Sequence, residues 1–416
     1  MNMAMDREGT LKLHRKAKGK IRIDPTVNIR DVNDLAAVYV QGGAFAAEEI
    51  VEDRDRVYEY SGKANRMAMI CDGTAVLGLG DIGPEAALPV MEGKCLLFRT
   101  FGDIDAVPLC IRASDAEEII QAAKLIAPSF GAIDIEDVSS PDCFTVVERL
   151  QTELDIPVLC DDQHGSAVVV YAALTNALKV VGKDLRNVSI VILGAGASGI
   201  AVARLLLHAG AGNITVLNRD GILGPGNRGR NFVQEELSHQ VNPEGRSGGI
   251  ADALKGADVL IGLSSGGRVT PEQIGAMNRP SVVFALSMPT PEIAPEEAAA
   301  AGVAVFARGI SGDFNAMPNL HAYPGITRGL LDVRATGLNM NVLLAAAGAI
   351  ANTVDERRLS HRLIVPDLFS DEVTPRVAEA VAQSAIAEGL AARPLPPKEV
   401  YERTWERLFG NFMASM

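Results

Sequence analysis

Short apolar runs alternate with longer stretches of helical period along most of this chain, the pattern of strands feeding helices. In the first part, Met67–Ile70, Cys95–Arg99, Ala132–Ile135 and Ile156–Cys160 read as strands, and Ala116–Ile126 reads as a helix. In the second part the strands are Ile190–Leu193, Ile214–Leu217, Val259–Ile261, Val282–Leu286 and Val303–Phe306, with helical segments between them. This alternation predicts a doubly wound parallel sheet covered by helices. The first sixty or so residues are charged and helical in texture, with breaks at Asp24-Pro25 and Gln41-Gly42-Gly43. Residues 341–416 are mainly helical, interrupted at Pro366 and at Pro394–Pro397. The hydrophilic stretch Asp220–Gly249, rich in Gly, Arg and Asn, reads as a long surface excursion.

Two motifs add chemistry to this frame. The strand at Ile190–Leu193 runs into Gly194-Ala195-Gly196-Ala197-Ser198-Gly199, which opens an amphipathic helix. That context makes the turn a dinucleotide fingerprint: small residues let the backbone approach a pyrophosphate, and the helix N-terminus supplies free N–H groups. The acid that would bind the adenosine ribose is expected after the next strand, where the chain has Asn218 and Arg219. An Asn beside an Arg repels a 2′-phosphate less than an acid does, so NAD and NADP are both allowed. The second motif is acidic. Glu136-Asp137 and Asp161-Asp162 each follow a predicted strand, where open α/β sheets bind ligands. Glu136, Asp137 and Asp162 offer hard oxygen ligands suited to Mg²⁺ or Mn²⁺. The expected class is therefore α/β. An N-terminal α/β substrate and metal domain (residues 1–165) precedes a doubly wound Rossmann-type NAD(P)-binding domain (166–340) and a helical C-terminal segment (341–416).

Composition narrows the function. At 416 residues the chain exceeds one ordinary core. A formal charge of −13 argues against a nucleic-acid backbone as partner. No apolar stretch reads as long enough to span a membrane, and Met1–Glu8 lacks the apolar core of a signal peptide, so the cytoplasm is the expected compartment. Five cysteines without Cys-x-x-Cys spacing read as reduced thiols.

Several ordered motifs then match one family. Asp72-Gly73-Thr74-Ala75-Val76-Leu77-Gly78-Leu79-Gly80, Pro89-Val90-Met91-Glu92-Gly93-Lys94, Ile135-Glu136-Asp137-Val138, Asp161-Asp162-Gln163-His164-Gly165 and Tyr323-Pro324-Gly325-Ile326 together resemble the compact prokaryotic malic enzymes. The resemblance implies metal-dependent, NAD(P)-linked oxidative decarboxylation of a malate-like 2-hydroxy acid by a homodimer. It implies that Glu136, Asp137 and Asp162 hold the cation, that Lys94, helped by Asp161, takes the hydroxyl proton, and that Tyr39 protonates the enol carbon. A lysine desolvated near other cations can drop its pKa enough to act as a base. Three departures bear on the substrate. Met288-Pro289 stands where the family has Asn-Pro, Pro318-Asn319 where it has Asn-Asn, and Tyr39-Val40-Gln41-Gly42 where it has Tyr-Thr-Pro-Gly. Met288, Pro318 and Asn319 thus mark a remodelled substrate pocket. Hydride transfer without decarboxylation, decarboxylation alone, and a silent nucleotide-binding paralogue remain alternatives.

Overall fold

A computed structural model of the chain describes residues 7–309 and 314–410. Met1–Asp6, at the start of the segment read for a signal peptide, and the last six residues of the tail lie outside it. Two sheets organise the molecule. The first is wholly parallel, in the order β2-β1-β3-β4, from β1 (Arg66–Cys71), β2 (Asp105–Cys110), β3 (Ala132–Ile135) and the two-residue β4 (Val158–Leu159). Every residue of β3 is buried, as expected of a strand covered on both faces.

The second sheet has the order β10-β9-β8-β5-β6-β7. Its strands are β5 (Ser189–Leu193), β6 (Asn213–Asn218), β7 (Gly221–Ile222), β8 (Val259–Gly262), β9 (Val282–Ala285) and β10 (Val305–Arg308). All neighbours are parallel except β6–β7, an antiparallel edge pair. The chain leaves β5 toward β6 and returns to its other side as β8. That reversal puts the topological switch point at the end of β5, where the glycine turn lies.

Four expectations need correction. Cys95–Arg99 is not a strand but part of the helix Pro84–Gly102. Its buried residues Met91, Cys95, Phe98 and Gly102 recur at helical spacing, while Leu96 is exposed. A run of four apolar residues hid that stripe. Gln41-Gly42-Gly43 does not break the chain either: a wide π turn at Ala36–Val40 continues into the helix Gln41–Glu52. A Cβ on Gly42 would lie 1.5 Å from the Ala37 carbonyl oxygen, so glycine permits the widened turn. The Asp220–Gly249 stretch is only partly a surface excursion. Ile222, Leu223, Val233 and Leu237 are buried, and Gln234 donates to the Ala195 carbonyl at 2.9 Å. Finally, Asp161–Val181 is long and apolar enough to cross a membrane by length and composition, yet most of it is buried in the protein core.

The helices of the tail fold back onto the first sheet's layer. Met340–Thr353 and Val373–Ala387 pack on Ser166–Val181 and Tyr323–Asp332. Within Tyr323–Asp332, Arg328 is almost fully buried and its Nη2 donates to Asp332 at 2.8 Å. Arg407 reaches the same carboxylate at 2.8 Å. Removing one partner of a buried pair strands the other charge. Asp332→Ala is therefore expected to lower unfolding stability by about 3–5 kcal/mol, read from denaturant melts of the full chain.

The N-terminal arm behaves differently. Between Arg7 and Tyr60 no described residue is buried, and Leu13, Ile23, Val27, Val32, Phe45 and Val51 are all exposed. Its foot is tied down where Lys20 bonds Glu92 and the Pro89 carbonyl on the helix Pro84–Gly102.

Candidate active site

The ends of β3 and β4 face one cavity of about 1500 Å³. Beyond β3 the chain turns through Glu136 and Asp137, the latter at φ +53°, a left-handed conformation that Asp tolerates better than most residues. Beyond β4 it enters a π-type turn, Asp161–Gly165, before the helix Ser166–Val181. Gly165 is required there, because a Cβ would lie 1.8 Å from Asp161 Oδ1. One carboxylate oxygen from each of Glu136, Asp137 and Asp162 lies within 4.8 Å of the others.

Lys94 enters from the helix Pro84–Gly102 rather than from a strand edge. Its Nζ donates to Asp161 Oδ2 at 2.6 Å and to Glu136 Oε1, and sits 5.2 Å from the centre of the Tyr323 ring. Burial alone would lower its pKa, but Asp161 and Glu136 outweigh it and hold the ammonium well above its ordinary value. The condition foreseen for a depressed lysine, neighbouring cations, is not met: its neighbours here are carboxylates.

The acids bear the complementary strain. Burial, then the charge of Asp162, pushes Asp137 up to about 7. Burial also raises Glu136 well above the usual carboxylate range, and raises Asp162. Among the described residues Glu136 Oε2 makes no hydrogen bond. Such a cluster of crowded, desolvated and incompletely bonded oxygens fits a divalent cation, which would supply the missing positive charge.

The dinucleotide turn reaches the same cavity. Gly194, at φ +125°, passes so close to Leu263 that a Cβ would meet its carbonyl oxygen at 2.3 Å. Gly199 packs equally closely on Gly194, whereas nothing lies within 4 Å of a Cβ on Gly196. These are the three glycine roles of a pyrophosphate-binding turn: tight turn, open approach and close packing. Ala197 opens the following helix, and Ser198 Oγ donates to the Asp162 carbonyl at 2.8 Å, joining the turn to the acidic segment. Asn218 closes β6, with its amide spent internally on Gln234, Asn227 and the Asp220 N–H. Arg219 lies beside it, exposed, at a second cavity.

Met288, Pro318 and Asn319 all line the main cavity. Asn319 is turned toward the protein: its Nδ2 donates to Asp161 Oδ2 at 3.2 Å and to Ser166 Oγ at 3.1 Å. Tyr39 is not brought to the site. It is 76% exposed on the N-terminal arm and does not line the cavity. Two further groups were not foreseen in the sequence. Tyr323 is buried against Phe98 with ring centres 4.6 Å apart, and Asp134, on β3, is buried with neither carboxylate oxygen bonded among the described residues. Asp134 lies two residues before Glu136, on the same face of the strand, and that period-2 offset was its only signal.

Comparison with known proteins bears on the whole chain. Residues 20–151 match the family described as malic enzyme, N-terminal domain, and residues 163–386 match malic enzyme, NAD binding domain. A bifunctional malic/malolactic enzyme of Bacillus subtilis (strain 168) is 43% identical, over 96% of this chain and 97% of that protein. An NAD-dependent malic enzyme of Geobacillus stearothermophilus is 45% identical over 90% of this chain and 78% of its own. Among solved structures, a malic enzyme from Pyrococcus horikoshii superposes with a TM-score of 0.93 at 41% identity, covering 98% of both chains.

Proposed function

Since the chain belongs to the malic enzyme family, we propose that its main cavity performs oxidative decarboxylation of malate or a malate-like 2-hydroxy acid, yielding a 2-oxo acid and CO₂. The observation that carries this reading is convergence. Lys94, three cation-competent carboxylates and the dinucleotide turn, through Ser198, all meet at one cavity.

Glu136, Asp137 and Asp162 would hold Mg²⁺ or Mn²⁺, which when bound supplies Lewis acidity toward the substrate oxygens. Gly194–Gly199 would seat the nucleotide, NAD or NADP, which when bound would supply the hydride acceptor. Lys94 Nζ, an ammonium among carboxylates here, would take the hydroxyl proton only after losing one of its own, and Asp161 holds that nitrogen in place. Asn319 braces Asp161 from the other side, so its amide positions the base rather than reaching the substrate. Met288 offers no hydrogen-bond donor to a carboxylate, which supports a pocket selective for a substituted or bulkier malate.

Turnover with L-malate, Mn²⁺ and either nucleotide, following reduced nucleotide and pyruvate together, tests the reaction class. Equal amounts of both are expected. Reduced nucleotide without CO₂ loss would make this a simple dehydrogenase, and pyruvate without reduction a decarboxylase. Met288→Asn is expected to raise kcat/KM for L-malate about tenfold or more, the worth of one restored polar contact. No change on that substitution would remove Met288 from specificity.

We also assign the protein as a cytoplasmic homodimer. The exposed arm supports this: residues 7–30 carry eight basic and two acidic side chains on a chain of net charge −13, so the arm complements the acidic body of a second copy. Tyr39, the enol proton donor implied by the resemblance, lies on this arm. Sedimentation is expected to report twice the 44.0 kDa chain mass, and a monomer at micromolar concentration would contradict the assignment.

A further inference from the structure

The second cavity, of about 460 Å³, opens at the C-terminal end of β6, between the Asn218–Ile222 turn and the loop that follows β8. In a doubly wound sheet with the pyrophosphate turn at the end of β5, this is where the adenosine ribose lies. Arg219, Arg246 and Arg268 all line it. Its floor is close-packed backbone: a Cβ on Gly221, at φ +118°, would lie 2.5 Å from the Gly248 carbonyl oxygen. A groove of this shape lined by guanidinium groups is unusual on a chain of net charge −13.

The acids that would argue for an unphosphorylated ribose are missing or engaged. Asn218 stands at the strand end, and both its side-chain oxygen and its side-chain nitrogen are used within the fold. Among the described residues Asp220 is the cavity's single lining carboxylate, and both its oxygens accept from Arg230 at 2.7 Å. A carboxylate already paired with a guanidinium is a poor acceptor for a ribose hydroxyl and repels an anion weakly. Arg219 and Arg268, by contrast, make no side-chain hydrogen bond or ion pair among the described residues. Arg246, which also lines the cavity, spends Nη2 on the Lys255 carbonyl at 3.0 Å and on the Asp252 carbonyl. Two guanidinium groups without a hydrogen-bonded partner, lining one cavity with a third, match a dianionic phosphate in charge.

We infer that this cavity is a 2′-phosphate site, so that the chain selects NADP over NAD, with Arg219 and Arg268 as its specificity-determining residues. The inference rests on the nucleotide reading of the Gly194–Gly199 turn and deepens it. It also explains why Asn218, the residue that replaces the ribose acid, faces inward: it braces Asn227 and Gln234 and so holds open the loop that presents Arg219.

Calorimetric titration of the full chain with 2′,5′-ADP and with 5′-AMP, which differ only in the 2′-phosphate, tests the site without any turnover. Preference for 2′,5′-ADP by about 10- to 100-fold is expected, the worth of one or two charge-assisted bonds. Arg219→Ala and Arg268→Ala should each remove about tenfold of that preference, with far less effect on 5′-AMP. Circular dichroism of the variants checks that they fold. The kcat/KM ratio for NADP against NAD should fall in parallel. Equal binding of the two ligands, or a preference that survives both substitutions, would overturn the 2′-phosphate site and leave the nucleotide turn intact. Failure of both ligands and both nucleotides to bind would overturn the nucleotide reading itself, and this inference with it.

Discussion

Lys94→Ala is expected to lower kcat for malate oxidation by about 10²- to 10⁴-fold, the usual worth of a positioned general base. The geometry fixes which parameter moves. Lys94 is held at 2.6 Å from Asp161 and also contacts Glu136, while the turn proposed to seat the nucleotide follows β5 of the second sheet. Nucleotide affinity should therefore survive the substitution, and the loss should fall on kcat rather than on nucleotide KM. Steady-state assays in Mn²⁺ with nucleotide binding measured separately make the distinction. A variant that retained a tenth or more of wild-type kcat would remove Lys94 from the chemistry.

Removal of the cation should have an effect at least as large. Glu136, Asp137 and Asp162 are drawn together in a buried corner where burial itself raises each of their pKa values. Among the described residues no cation pairs with Asp137 or Asp162, since Lys94 contacts Glu136 and Asp161 but neither of those two through a hydrogen bond or ion pair. Chelation with EDTA is expected to abolish turnover and to lower Tm, and added Mn²⁺ to restore both, because a ligand that binds only the folded state stabilises it by mass action. Asp162→Asn keeps the shape but weakens the ligand set, so it should require far more Mn²⁺ for half-maximal rate. A chelated enzyme that turned over at the wild-type rate would rule out a metal-dependent reaction.

Much of this site could be read along the chain because its parts sit at element ends. Glu136-Asp137 and Asp161-Asp162 follow apolar strands, and the glycine turn follows another, so local pattern alone placed them on the ligand-binding edge of a sheet. What local pattern could not supply was contact between distant segments. Lys94 precedes Cys95–Arg99, which reads as a strand because Cys95–Phe98 is uniformly apolar, and only the packing of Met91, Cys95 and Phe98 on one side reveals a helix. Asn319, expected to mark the substrate pocket, lines that cavity and also bonds Asp161 across 158 positions of sequence, a pairing no spacing rule predicts. Tyr39 is harder still. Among the described residues the arm that carries it buries nothing within its own chain, so neither local pattern nor intrachain packing gives Tyr39 a place at the site.

Electron paramagnetic titration of Mn²⁺ into the wild-type chain and into Asp162→Asn tests the carboxylate site most directly. One saturable Mn²⁺ per wild-type chain is expected, with affinity in the variant lower by at least about 10- to 100-fold, the loss that follows removal of even an outer partner of a metal ligand. Equal Mn²⁺ affinity in the two proteins, or no saturable binding to the wild type, would contradict a metal-dependent reaction at Glu136, Asp137 and Asp162.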